Sequence, residues 1–123
     1  MIIGSLVRVA SNIKRRPATL EFPENREAIT DNYRGIHKLD MNTCIECSAC
    51  ARICPNQTIV MVEVDVPSKP SGKGIMPEIN LERCLFCALC EEVCPTKCLV
   101  LTKDYDFEKF DRRDFIKRPE DLE

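Results

Sequence analysis

Eight of the nine cysteines in this 123-residue chain fall into two runs of identical spacing. The first is Cys44, Cys47, Cys50 and Cys54, followed by Pro55; the second is Cys84, Cys87, Cys90 and Cys94, followed by Pro95. Thiolates are soft ligands that select zinc and iron–sulfur centres. Three thiols on a tight loop converge on three corners of a cube, and the fourth, on the helix that follows, points away. Eight thiolates suffice for two [4Fe–4S] clusters. A zinc site also takes four thiolates, but four crowded into eleven residues with a Cys-Pro ending suit a cubane better. With all eight positions filled there is no open iron, which favours one-electron relay over substrate chemistry and implies no catalytic residue in this chain.

Composition agrees with that reading. The net charge is −2, with no basic surplus of the kind nucleic-acid binding requires. Trp is absent and Phe and Tyr together number seven, so a metal centre is needed to staple a core this thin. A secreted disulfide framework is disfavoured by the odd cysteine count and by the amino terminus, whose basic residues follow its apolar ones. The thiols are read as reduced ligands in a cytoplasmic setting. No apolar run approaches the roughly 18–20 residues that span a bilayer.

The elements that position the runs repeat with a period of forty. Leu39 to Cys44 aligns with Ile79 to Cys84, Pro55 with Pro95, Ile59 with Leu99 and Met61 with Leu101. Each half reads as strand, loop, short helix, strand. The spacing predicts strands near 36–40, 58–65, 77–80 and 98–103, helices near 49–54 and 88–94, and a turn over 67–74. The β-branched stretch Ile59, Val60, Val62 and Val64 supports the second strand. Residues 2–13 read as an amphipathic helix, with Ile2, Leu6, Val9 and Ile13 on one stripe and Pro17 ending it. Its basic end, Arg8 with Lys14, Arg15 and Arg16, fits either a solvated helix end or an acidic partner or anionic headgroups. Because the duplicated core does not need this helix to fold, docking is favoured over packing on its own domain. Residues 17–35 form an extended arm with a short turn of helix around 24–29. The division is therefore 1–35 (helix and docking arm), 36–104 (core, repeating 36–65 and 76–104) and 105–123 (tail). The tail aromatics Tyr105, Phe107, Phe110 and Phe115 either cover the core's flank or anchor a partner.

Cys98 aligns with Thr58, which gives it no ligand role and favours a small buried residue. His37, the chain's one histidine, either tunes a nearby cluster, carries a proton or, as is commoner, makes a structural hydrogen bond beside the first strand. Ile45, Ile53, Leu85, Phe86, Leu89 and Val93 form an apolar shell that limits water at the thiolates.

The two runs resemble those of bacterial two-cluster ferredoxins, and the implied fold is the α+β, pseudo-two-fold dicluster ferredoxin plan with an N-terminal amphipathic helix and extended arms. In such ferredoxins the fourth cysteine ligates the other cluster. That gives Cys44, Cys47, Cys50 and Cys94 for the first cluster and Cys84, Cys87, Cys90 and Cys54 for the second. The flanks carry a narrower resemblance. Arg15 to Pro23, Tyr33-Arg34-Gly35-Ile36-His37, Arg83 to Cys87 and Asp111 to Phe115 are similar, in that order, to the dicluster subunit I of respiratory complex I. Its relatives include archaeal F420H2 dehydrogenases and membrane-bound hydrogenases. The linker at 66–76 is compact for that family.

The resemblance implies an electron-relay subunit where a peripheral arm meets a membrane arm, on the cytoplasmic side of the membrane. Its partners would be a terminal-cluster subunit, quinone-module and membrane-arm subunits, and the membrane surface. A membrane-bound hydrogenase subunit and a free soluble dicluster ferredoxin are the competing readings.

Overall fold

The computed structural model describes residues 2–66 and 73–122. Helix α1 spans Ile2–Ile13 and stands apart from the rest, with its apolar side chains exposed; Ile3 is 79% and Ile13 84% accessible. The remaining elements, in order, are β1 (His37–Leu39), α2 (Ala49–Ile53), β2 (Ile59–Asp65), β3 (Lys73–Asn80), α3 (Leu89–Glu92), β4 (Leu99–Leu101) and β5 (Ile116–Lys117). Single 3-10 turns, Arg112–Phe115 and Pro119–Leu122, flank β5. The result is a small mixed helix and sheet fold.

Two antiparallel sheets carry the core. In the first, β1 pairs with β4, His37 opposite Leu101 and Leu39 opposite Leu99. In the second, β2 and β3 pair from Ile59↔Ile79 out to Asp65↔Lys73, and β5 joins the far edge of β3. Leu39, Ile59, Met76, Ile79 and Leu99 are buried together with Leu81 and Leu122. Leu39, Met76 and Ile79 are wholly inaccessible.

Several expectations are corrected. Strand β3 begins at Lys73 rather than 77, because β2 offers it a full-length partner. The expected turn over 67–74 otherwise lies outside the described residues. Strand β4 closes at Leu101, yet pairing continues irregularly: Gly35 N–H donates to Thr102 O (2.7 Å), Ile36 N–H to Asp104 O (3.0 Å) and Thr102 N–H to Ile36 O (2.8 Å). Helix α3 ends at Glu92, short of 94. The turn expected at 24–29 sits at 22–24 instead, next to the cis Phe22–Pro23 bond and closed by Asn25 N–H to Glu21 O (2.8 Å). Residues 26–30 run without regular structure, and the arm is held by tertiary as well as local contacts: the Arg26 guanidinium lies over the Phe22 ring at 5.1 Å. Arg26 pairs with Asp106 (3.1 Å), and Tyr33 meets Tyr105 edge-on at 6.2 Å. The arm thus lies partly against the chain's own tail.

Strand β5 was not anticipated. The tail aromatics divide: Phe107 and Phe115 pack on the core, whereas Phe110 is fully exposed.

Among the described residues, the non-glycine positions in the left-handed region fall into three pairs, each forty positions apart: Glu46 and Phe86 (φ 62° and 49°), Ser48 and Ala88 (57° and 67°), and Gln57 and Lys97 (both 50°). Each such residue costs about 1–2 kcal/mol, and strain of this kind concentrates at functional loops.

Candidate metal centres

The left-handed residues bend each cysteine loop so that its thiols line a cavity. Glu46 and Ser48 interleave with Cys44, Cys47 and Cys50, and Ser48 then starts α2; Phe86 and Ala88 do the same before α3. Alternating right- and left-handed residues also turn successive backbone N–H groups toward a concavity suited to negative charge. The N–H of Phe86 donates to Cys84 Sγ at 3.4 Å.

Two cavities result, of about 340 and 360 Å³ of free space with their mouths included. Cys84, Cys87 and Cys90 line one of them, and the fourth sulfur in its wall belongs to Cys54 of the other run. Cys44, Cys47 and Cys50 line the second, together with Cys94. All eight cysteines of the runs are therefore brought together, three and one, across the two halves. None of the nine cysteines forms a disulfide. Among the described residues no three His, Cys, Asp or Glu side chains converge on a point suited to a single ion. A tetrahedral zinc, with Zn–S near 2.3 Å, demands that closeness; a cubane takes thiolates spaced around a larger body. The donor set fits a cluster.

The crossing cysteines are held by hydrogen bonds. Cys54 Sγ accepts from the Thr58 backbone N–H (3.4 Å) and lies 3.2 Å from the Thr58 hydroxyl. Cys94 Sγ lies 3.5 Å from Cys98 Sγ and 3.7 Å from the Thr96 hydroxyl. Burial pushes the Cys94 thiol up, but the Leu99 backbone N–H and the Cys98 and Thr96 side chains outweigh it, leaving a pKa of about 7. Burial drives Cys98 up to about 12, so the proton of this pair stays on Cys98. Cys98 is buried, as expected, but it also lines the cavity as a thiol donor. Burial raises Cys90 to about 12 and also raises Cys50 and Cys84. Metal binding at these sites releases protons, because only the thiolate ligates.

His37 is 2% accessible and lines the cavity that contains Cys54, stacked 5.9 Å from the Phe86 ring, which in turn lies 5.9 Å from Phe107. Burial lowers its pKa below the ordinary histidine value, against the opposing influence of the Glu91 carboxylate. Sequence reasoning missed Thr58, although its alignment with Cys98 marked the position. It also missed two guanidinium tethers: Arg52 donates to Cys47 O and Arg34, from the arm, to Cys87 O, both at 3.1 Å.

Residues 43–98 match the model of the 4Fe-4S dicluster domain. This segment is a 4Fe-4S dicluster domain. Its complement is two [4Fe–4S] clusters, in keeping with the eight thiols that line the two cavities. The chain is similar to subunit I of the F420H2 dehydrogenase of Methanosarcina mazei, 32% identical over 66 residues that make up 54% of this chain and 37% of that protein. It is also similar to NADH-quinone oxidoreductase subunit I of Carboxydothermus hydrogenoformans, 34% identical over 58 residues, 47% of this chain and 41% of the other. Among solved structures it resembles a chain of the membrane-bound sulfane sulfur reductase, an archaeal respiratory membrane complex, with a TM-score of 0.61 and 29% identity over 86% of this chain and 55% of that one. The chain thus spans about two fifths of the length of those two subunit I relatives. Among the described residues no helix is long and apolar enough to cross a membrane.

Proposed function

We propose that this chain is the electron-relay subunit of a complex I-like membrane-bound oxidoreductase, passing electrons singly through two [4Fe–4S] clusters toward a terminal cluster and a quinone-type acceptor. The observation that carries the reading is the three-and-one arrangement of thiols in each cavity. Cys44, Cys47, Cys50 and Cys94 hold the first cluster; Cys84, Cys87, Cys90 and Cys54 hold the second. A bound [4Fe–4S] cluster supplies a one-electron couple. The protein's own residues position the thiolates; Leu85 and Leu89 line one cavity and Ile45 the other, and with Val93 they lie exposed at the surface rather than closing over the thiols. Those roles need no catalytic side chain. The pseudo-two-fold ferredoxin plan is supported by the three left-handed pairs forty residues apart.

The exposed apolar face of α1 favours a docked subunit over a free soluble ferredoxin. Ile3, Leu6, Val7, Val9 and Ile13 are all more than half exposed. Contiguous apolar surface of this kind marks interaction sites. We read α1 as the amphipathic helix that seats the subunit, peripherally and on the cytoplasmic side, against its companion subunits and the membrane surface. We read the chain as docking arm 1–35, dicluster domain 36–104 and tail 105–123, although 116–122 of that tail pack with the core.

The test is affinity purification of the tagged subunit from detergent-solubilised membranes, with and without residues 1–16. The full chain is expected to bring down companion subunits with both clusters in place. The shortened chain should keep its brown colour and iron but lose the companions. Recovery of the full chain as a cluster-loaded soluble monomer would overturn the proposal.

A further inference from the structure

The two cavity walls correspond through the forty-residue repeat at all positions but Pro55 in one and Met61 in the other, and they differ where a side chain enters from the sheets. His37 of β1 lines the cavity of Cys54, Cys84, Cys87 and Cys90; its counterpart Pro77 of β3 lines the other. Pro77 offers no side-chain donor. The Nδ1 atom of His37 is buried and has no hydrogen-bond partner among the described residues. An orphaned nitrogen in a side chain only 2% accessible is destabilising unless something in the cavity meets it. The structural hydrogen bond expected of this histidine is thus missing at Nδ1.

We propose that His37 is a positioning residue of the second centre, its Nδ1–H donating to a sulfur of the cluster held by Cys54, Cys84, Cys87 and Cys90 and thereby biasing the electron toward that cluster. The inference rests on the ligand sets proposed above. Burial keeps the imidazole neutral, so one ring nitrogen carries a hydrogen and the other a lone pair. Beside four thiolates, the tautomer with hydrogen on Nδ1 gains a charge-assisted bond, whereas the other aims a lone pair at negative charge. Hydrogen bonds to cluster sulfurs stabilise the more negative, reduced state and raise the potential. Other donors are closer to parity: the Thr58 hydroxyl lies 3.2 Å from Cys54 Sγ, while Cys98 and Thr96 lie 3.5 and 3.7 Å from Cys94 Sγ. Ser48 lines the first cavity where Ala88 lines the second. In the second cavity the imidazole is the donor without a counterpart, as the Ser48 hydroxyl is in the first.

The experiment uses the full chain with both clusters loaded. Because His37 is the chain's one histidine, labelling with 15N-histidine marks a single site. Pulsed electron paramagnetic resonance of the reduced protein is expected to show 15N coupling on the signal that Cys54→Ser abolishes, and none on the other. In a redox titration His37→Leu should move that cluster's midpoint to more negative potential and leave its twin unmoved; His37→Asn, which keeps an N–H donor, should fall between. Absence of 15N coupling, or coupling to the other signal, overturns the role of His37 while leaving the relay intact. An equal shift of both midpoints also overturns it, as a packing effect. Should His37→Leu fail to load, the labelled native chain still decides. Retention of both signals in Cys54→Ser defeats the ligand sets and the proposal with them.

Discussion

A single methyl group at Gly35 should unfasten the arm from the dicluster domain. A Cβ built there would lie 2.1 Å from Asp104 O, 2.9 Å from Asp104 C and 2.9 Å from Thr102 O, all backbone atoms that cannot rotate away. The chain must instead separate. The bonds at risk are Gly35 N–H to Thr102 O and Ile36 N–H to Asp104 O. At about 1 kcal/mol each, with the strain of partial accommodation added, Gly35→Ala should cost the local structure about 2–3 kcal/mol. At 1.4 kcal/mol per decade this makes local opening more frequent by a factor on the order of 10². Hydrogen exchange followed by mass spectrometry on the loaded protein reads it directly, in peptides covering 33–37 and 101–105. Those peptides should exchange faster in Gly35→Ala, while β2 and β3 stay protected and the visible absorbance of the clusters is unchanged. Unaltered exchange around residue 35 would refute the steric argument. Loss of protection throughout would show that the arm is integral to the fold.

Two further outcomes test the site and the tail. Cys54→Ser should remove one cluster, lowering iron from about eight atoms per chain to about four, whereas Cys98→Ser should keep both because its hydroxyl still donates to Cys94; iron analysis separates the two. Leu122, 2% accessible in the core, should on substitution by Ala lower stability by about 2–5 kcal/mol, seen as an earlier thermal transition of the loaded chain.

The cysteine loops were legible because their spacing and the forty-residue period are local facts, and local facts are what a sequence displays. Strand existence followed from β-branched stretches such as Ile59, Val60, Val62 and Val64, whose branched side chains favour extended backbone. Strand β5 was not legible. Ile116 and Lys117 are too few to show a period, and they become a strand only because β3 leaves an edge open beside them. The turn near residue 24 went astray for a related reason: Arg26 and Tyr33 are held by Asp106 and Tyr105, which composition around residue 24 cannot reveal. Within the site, the thiols announced themselves. Their neighbours did not, since a threonine or an arginine matters here only through a contact that the fold creates, as when Arg34 reaches Cys87 across more than fifty residues.

The crossed thiols have a consequence for how the loaded protein comes together. With the ligand sets proposed, the link from Cys54 to Cys84 is nested inside the link from Cys44 to Cys94, like inner and outer brackets. Closing either bracket leaves the other less than half its chain to span, a saving of about 0.8 kcal/mol in closure entropy whichever closes first. Loading one centre therefore favours loading of the other.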